Sequence, residues 1–315
     1  MNRPRIVVVG SVNTDMVVKS ERIPAVGETV TGGQFVMAAG GKGANQAVAA
    51  ARLGAEVTLV ARIGRDLLGD QAAANYQREG ILTDFLFRDP ERATGVALIL
   101  VDARGENLIS VASGANHALS PADVRQAAER IRQADVVLLQ LEIPLETVIF
   151  AAELAAASGV RVILDPAPAP AGPLDAALLG NVSCLKPNET EAERLTGIAV
   201  ADEASAAKAA QKLLAGGARS AVITLGSKGA FWTGDGRSGF VPAVAVEAVD
   251  STAAGDAFSG ALACALAAGQ SLEDAVAYAG LVGAISVTRL GAQPSLPTAE
   301  EVREFSPSPS GRGKG

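Results

Sequence analysis

One histidine, two cysteines, one tryptophan and two tyrosines are spread over 315 residues, and each scarcity removes a class of function. Cys184 and Cys264 are too few and too far apart in sequence for a disulfide framework or a zinc site, and read as reduced, buried thiols. His117, in the stretch GANHALSP, lies in a loop before a helix and reads as a solvated residue rather than a catalytic one. Basic residues are outnumbered, 27 against 34, and a net charge of −7 argues against a nucleic-acid or anionic-membrane partner. Any phosphate must be held by local features. Long apolar runs are missing too. Ala257–Ala268 and Ala275–Val287 are split by the polar SLED, and each falls short of the roughly 18 residues that span a bilayer. Both read as buried helices. The opening MNRPRIVVVG has too short an apolar run for a secretory signal, so a cytoplasmic location is expected.

What the chain does have is aliphatic bulk: 49% of residues are hydrophobic, only 3% aromatic. Arg5–Val9, Val57–Ile63, Val136–Gln140, Val160–Asp165, Ser183–Lys186 and Ala221–Leu225 read as buried strands. Between them Ala44–Leu53, Leu68–Glu79, Pro121–Gln133, Leu145–Ser158, Glu189–Thr196 and Glu203–Ala215 read as helices. That alternation predicts an α/β fold with a mostly parallel sheet covered on both faces. In such sheets ligands sit beyond the carboxyl ends of the strands. Gly27–Ala38 and Thr94–Val111 break the pattern, reading as strands without helices, the second a hairpin around Asp102–Gly105. Pattern alone leaves open whether they form a separate small sheet or extend the main one. The final Ser306–Gly315 is low-complexity and is expected to be disordered.

Several loops after strands carry candidate chemistry. In GSVNTD, Asn13 and Asp15 alternate onto one face, an amide and a carboxylate suited to vicinal hydroxyls, or equally to an Asx-turn. In AAGGKGANQ, three glycines fall within Gly40–Gly43, with Lys42 among them and Asn45 and Gln46 opening a helix. It is not a P-loop, because the lysine is followed by Gly-Ala. Glu142 ends an apolar strand and needs a partner or a ligand. Asn188 and Glu191 have capping-box spacing, with an oxygen ligand set near Mg²⁺ as the sharper alternative. ITLGSKGAFW reads as strand, Gly-Ser-x-Gly turn, strand: a hairpin, or a phosphate cradle if it faces the cleft.

DSTAAGDAF, Asp250 to Phe258, is the most informative stretch. Ala253, Ala254 and Gly255 have almost no side chain, and they run into a helix N-terminus with its unpaired N–H donors. Together these make an anion hole. Asp256 beside it suits a reaction in which a hydroxyl loses a proton while negative charge grows on a nearby phosphoryl group. That is the demand of phosphoryl transfer to an alcohol.

With GGKGANQAVAAARLGA, TGVALILVDARGEN, QLEIPLE, DPAPA, KPNETEAERLTG, DSTAAGDAFSGAL and VTRLGAQPS in hand, the chain resembles the ribokinase-like carbohydrate kinases from Arg5 to about Pro297. The resemblance implies a three-layer α/β/α fold in one catalytic domain, residues 1–305, with a small β-sheet lid built from about 11–38 and 94–112. The lid would also form a homodimer contact, and Ala97 and Ile99 would cover the sugar. It implies ATP-dependent phosphorylation of D-ribose at O5, with 2-deoxyribose or fructose as alternative substrates. Asp256 matches the base, and Asn13, Asp15, Gly41, Lys42, Asn45 and Glu142 match sugar-binding positions. Asn188 and Thr224, Leu225, Gly226, Ser227, Lys228 and Gly229 match ATP-binding positions, with Gly255 and Gly280 beside them. Where the family often has Asn or His at the adenine, this chain has Gly280, so contact there is lost or made by backbone. Glu191 matches the acid that organises Mg²⁺ through water. Asp250, Thr252, Ser286, Arg289, Gly291 and Ser295 match a K⁺ site. An oxidoreductase reading lacks GxGxxG after the first strand, and a binding-only reading would require the base to be lost.

Overall fold

The computed structural model describes residues 3–305, so the expected disorder of 306–315 lies outside the described residues. The chain opens with β1 (Arg5–Val9), β2 (Asn13–Lys19) and β3 (Gln34–Gly40), then α1 (Lys42–Arg52), β4 (Glu56–Gly64) and α2 (Leu67–Arg78). Next come β5 (Leu86–Asp89), β6 (Gly95–Val101), β7 (Asn107–Ala112), α3 (Pro121–Gln126), α4 (Ala128–Gln133) and β8 (Val136–Leu139). The middle of the chain supplies α5 (Leu145–Ala157), β9 (Arg161–Leu164), α6 (Ala176–Leu179), β10 (Cys184–Leu185), α7 (Glu189–Thr196) and α8 (Glu203–Ala215). It ends with β11 (Ser220–Thr224), β12 (Gly229–Gly234), β13 (Arg237–Pro242), α9 (Ala254–Ala267), α10 (Leu272–Ser286) and α11 (Ala299–Glu304).

The main sheet has nine strands in the order β13-β12-β11-β10-β9-β8-β1-β4-β5. From β11 to β5 the pairs are parallel; β12 and β13 add an antiparallel edge. The β-branched runs of β1, β4, β8 and β9 are buried on both faces, as parallel strands must be. One apolar cluster joins the sheet to α1, α2, α9, α10 and α11, and the other joins it to α3–α8, giving three layers. On the first face α9 lies against α1 with no room for a side chain at Gly260. A Cβ there would come within 2.6 Å of Ala49 Cβ and 3.0 Å of Gln46 O.

β2, β3, β6 and β7 form a separate sheet of four strands, in the order β3-β2-β6-β7. Asp15 pairs with Ala97 and Val17 with Ile99, so Ala97 and Ile99 share the face of Asp15. The hairpin around Asp102–Gly105 is present, closed by Gly105 N–H to Asp102 O at 3.0 Å.

Some expectations need correction. The stretch 27–33 is not strand: Gly27 and Gly32 have φ of 81° and 85°, which interrupt extended backbone, and the strand starts at Gln34. Pro121–Gln133 is two helices meeting at Ala127 rather than one. The helix read from the apolar run Ala257–Ala268 starts earlier, at Ala254, and so takes in Asp256. Glu142 lies in the loop beyond β8, which ends at Leu139.

Candidate functional site

The carboxyl ends of β1, β8, β9, β10 and β11 deliver Ser11, Glu142, Asp165, Lys186 and Thr224 to one edge of the sheet. α1 and α9 begin at the same edge, with Lys42 and Asp256 in their first turns. The start of α1 comes close to the end of β1. Gly41, at φ 90°, leaves a Cβ no space: it would sit 2.7 Å from Asn13 N.

The sugar-binding candidates converge. Glu142 Oε2 accepts from Ser11 Oγ at 2.5 Å and from the Lys42 backbone N–H at 3.1 Å. Its carboxylate therefore has partners within the fold. Asn13 is buried, and its Oδ1 accepts from Asn116 Nδ2 at 2.8 Å. Asp15 lies against Gly40, where a Cβ would be 2.3 Å from its carboxylate oxygens. Asn45 Nδ2 donates to Asp256 Oδ2 at 2.9 Å, and Gln46 Nε2 to Asp256 Oδ1 at 3.1 Å.

These charges act on one another. Burial pushes Asp256 up to about 6, with Asp165 adding to the rise and Lys42, Asn45 and Gln46 opposing it. Burial also pushes Asp15 up to about 6, helped by Glu142 and Asp256. For Lys42, burial disfavours the charge, but Asp256, Asp165, Glu142 and Glu191 outweigh it and hold the ammonium protonated above the usual lysine range. A buried carboxylate of about 6 is still mostly ionised at neutral pH and close enough to it to take a proton.

At the start of α9, Ala253 is in the left-handed region at φ 59°, a conformation uncommon for a residue with a Cβ. No side chain caps the helix there; the Ala254 N–H donates to Ser251 O at 3.2 Å, and among the described residues the Gly255 and Asp256 N–H groups meet no backbone acceptor. A Cβ added at Gly255 would meet only Lys186 Nζ, at 3.9 Å, so bareness there leaves open space beside a cation. Across the edge, an isolated bridge pairs Asn188 with Thr224. Residues 226–228 form an exposed 3-10 turn before Gly229, whose φ is 129°. The ATP-binding candidates Asn188 and 224–229 thus share one place. Gly280 is on α10, half-buried, with open space where a Cβ would be.

The capping box read from spacing is present: Glu191 N–H donates to Asn188 Oδ1 at 2.8 Å and Asn188 N–H to Glu191 Oε2 at 2.9 Å. Glu191 nonetheless has a pKa raised by burial and then by Asp165. Asp165 is already paired with Lys186, whereas the Glu191 carboxylate is a hard oxygen donor whose charge is disfavoured where it stands, which fits Mg²⁺ held through water. Asp250 accepts from Thr252 N and Oγ1 at 2.9 and 2.6 Å, and from Gly291 N at 2.8 Å. Those bonds outweigh its burial and lower its pKa. The 250–253 and 286–295 loops are thereby joined, and Val249 N–H and Asp250 N–H both donate to Val287 O. Among the described residues the carbonyls of Asp250, Thr252, Arg289 and Gly291 receive no backbone hydrogen bond, which fits a monovalent cation held by oxygens. The Arg289 side chain itself turns to Glu301 at 2.7 Å. Ser286 Oγ and Ser295 Oγ donate to Gly283 O and Ala292 O, both at 2.8 Å. Among the described residues no three His, Cys, Asp or Glu side chains group as a metal cage.

Five residues at this edge have no counterpart among the sequence-predicted site residues: Ser11, Gln46, Asn116, Asp165 and Lys186. Asp165 and Lys186 are almost wholly buried and paired at 3.4 Å. Each follows an apolar strand, the signal that singled out Glu142, and the same test would have found them.

Comparison with known proteins adds to this geometry. A family model described as pfkB family carbohydrate kinase matches residues 3–299. A ribokinase of Haemophilus influenzae is 45% identical over 303 residues, covering 96% of this chain and 98% of its own. A deoxyribokinase of Salmonella typhi is 39% identical over 300 residues, covering 95% and 98%. The structure of Arabidopsis thaliana ribokinase complexed with ribose and ATP superposes with a TM-score of 0.88 at 34% identity, covering 97% of this chain and 100% of that one.

Proposed function

This chain belongs to the pfkB family of carbohydrate kinases, and we propose that it transfers the γ-phosphoryl group of ATP to O5 of D-ribose, giving D-ribose 5-phosphate and ADP. The observation that carries the proposal is the placement of Asp256: buried, ionisable near neutrality, bonded by two amides, and in the first turn of a helix whose N-terminus has no side-chain cap. Asn13, Asp15, Gly41, Lys42, Asn45 and Glu142 orient the sugar hydroxyls. Asp256 takes the proton of O5, while the N–H groups of Ala253, Ala254 and Gly255 stabilise charge on the transferring phosphoryl group. Lys42 adds positive charge between the carboxylates. The nucleotide lies along Asn188 and 224–229 and reaches Gly255, with the adenine near Gly280.

When bound, Mg²⁺ neutralises charge on the phosphates and K⁺ orders the loop before the helix. Glu191, beside Asp165, would hold the first through water; Asp250, Thr252, Ser286, Arg289, Gly291 and Ser295 would hold the second, mostly by carbonyls. Residues 1–305 act as one catalytic domain, in which the four-stranded sheet is a lid whose Ala97 face covers the sugar and excludes water. Phe35, Met37, Leu98 and Leu108, all large and exposed on that sheet, are what a lid-to-lid homodimer would bury. Similarity to a deoxyribokinase supports 2-deoxyribose as a second reading, decided by whether Asp15 and its neighbours meet a 2-hydroxyl; fructose is the further alternative. A coupled ADP-release assay across ribose, 2-deoxyribose, fructose and adenosine, with K⁺ or Na⁺, tests this. Ribose is expected to lead and K⁺ to stimulate. A preference for adenosine, or no turnover of any sugar, would overturn the proposal.

A further inference from the structure

Gln46 has no part in the roles assigned above, yet its amide is fully buried between two acids. Its Nε2 donates to Asp165 Oδ2 at 2.9 Å and to Asp256 Oδ1 at 3.1 Å, while its Oε1 accepts from Gln140 Nε2 at 2.6 Å. Ionised carboxylates only accept, so the NH₂ end of Gln46 must face them; its oxygen must then face a donor, which fixes Gln140 in turn. The sequence of constraints leaves Gln140 Oε1 buried without a partner. An orphaned acceptor costs stability, and such a cost persists where the orientation it enforces is used. The other oxygen of Asp165, Oδ1, pairs with Lys186 at 3.4 Å, while Ser259 Oγ lies 3.3 Å from the Oδ2 that Gln46 binds.

We propose that Gln46 is a positioning residue for proton transfer: clamped in one orientation by Gln140, it fixes the Asp256 carboxylate and bridges it to Asp165, so that two like charges sit side by side with the base still ionised. This rests on the reading of Asp256 as the base. Asn45 secures the other oxygen, so the two amides set the plane of the carboxylate and direct its free lone pairs toward the sugar. The charged groups facing Asp256 are Lys42 from α1, Asp165 beyond β9 and Asp15 from β2; Lys186 lies behind Asp165, and Glu142 and Glu191 act on Lys42. Removing Gln46 withdraws a donor that favours the charged base and leaves Asp165 unbridged beside it. Asp256 then protonates more readily, so the acid limb of the activity profile moves to higher pH.

The test is kcat/KM against pH, from 5 to 8.5, for the full chain with the sugar that the substrate panel ranks first. Wild type, Gln46→Leu, Gln140→Leu and Asp256→Ala are compared. Gln46→Leu is expected to shift the acid limb upward by about one pH unit and to recover above it to within about tenfold of wild type. Gln140→Leu is expected to shift it the same way by less, since the Gln46 amide is then free to turn. Purely structural damage lowers the rate at every pH and leaves the limb in place; that outcome overturns the proposal. Should Gln46→Leu fail to fold, the limb of Gln140→Leu decides by the same criterion. Normal turnover by Asp256→Ala would sink the base and this inference together, whereas an inactive Asp256→Ala with an unmoved limb in the other variants sinks the inference alone.

Discussion

The two sides of the cleft are built from different material. On the side proposed for the sugar, Ser11, Asn13, Asn45, Glu142 and Asp256 are all tied to other groups by hydrogen bonds through their side chains. On the side proposed for the nucleotide the parts are mostly main chain: a left-handed Ala253, a bare Gly255 and an exposed turn at 226–228. Side chains held in register can discriminate one pattern of hydroxyls from another. Backbone N–H groups recognise phosphate oxygens of any nucleotide, and they need little from the identity of the residues that carry them. Specificity is therefore expected to concentrate on one side and tolerance on the other.

Four measurements would break or sharpen that contrast. Asp256→Ala is expected to lower kcat by about 10³-fold or more while sugar binding, followed by calorimetric titration, survives. Glu142→Gln replaces an acceptor of two hydrogen bonds with a group that must also place an NH₂; KM for the sugar should rise about 10- to 100-fold, with KM for ATP nearly unchanged. An equal rise in both constants would erase the division between the sides. The third effect is on stability. Asp15 and Asp256 have folded pKa values of about 6 against an ordinary 3.8, so the folded state binds more protons than the unfolded one between those values. Their penalty is full above about pH 6 and is relieved as pH falls, by about 1 kcal/mol each between pH 7 and pH 5. The carboxyls whose pKa is lowered, Asp66, Asp89 and Asp250 among them, oppose this only near and below the ordinary range. The ligand-free protein should thus melt a few degrees higher at pH 5 than at pH 7; a lower midpoint at pH 5 would refute the sign. Smallest of all, Ser227→Ala should change KM for ATP by less than about threefold, because that turn contributes backbone.

Legibility in the sequence follows the same division between local and distant causes. The buried strands were readable because two-sided burial demands unbroken β-branched runs, and the capping box at Asn188 and Glu191 because its spacing is its mechanism. β13 escaped because RSGFVP, an edge strand half open to solvent, carries no such run. At the site, Asp256 and its bare N-terminal turn were legible as one contiguous motif. Gln46 was not, since its meaning lies in a hydrogen bond to a residue 210 positions away. In its own neighbourhood Gln46 is one more polar residue opening a helix.

The missing side chain of Gly260 acts at a distance. This glycine stands one turn along α9 from Asp256, on the flank where that helix rests directly on the alanines of α1. The gap between the two rods is thus a spacer of zero thickness, and it sets how deep the acid reaches. A single methyl shim there would jack the rods apart and lift the carboxylate from its amides without touching any group that meets the sugar.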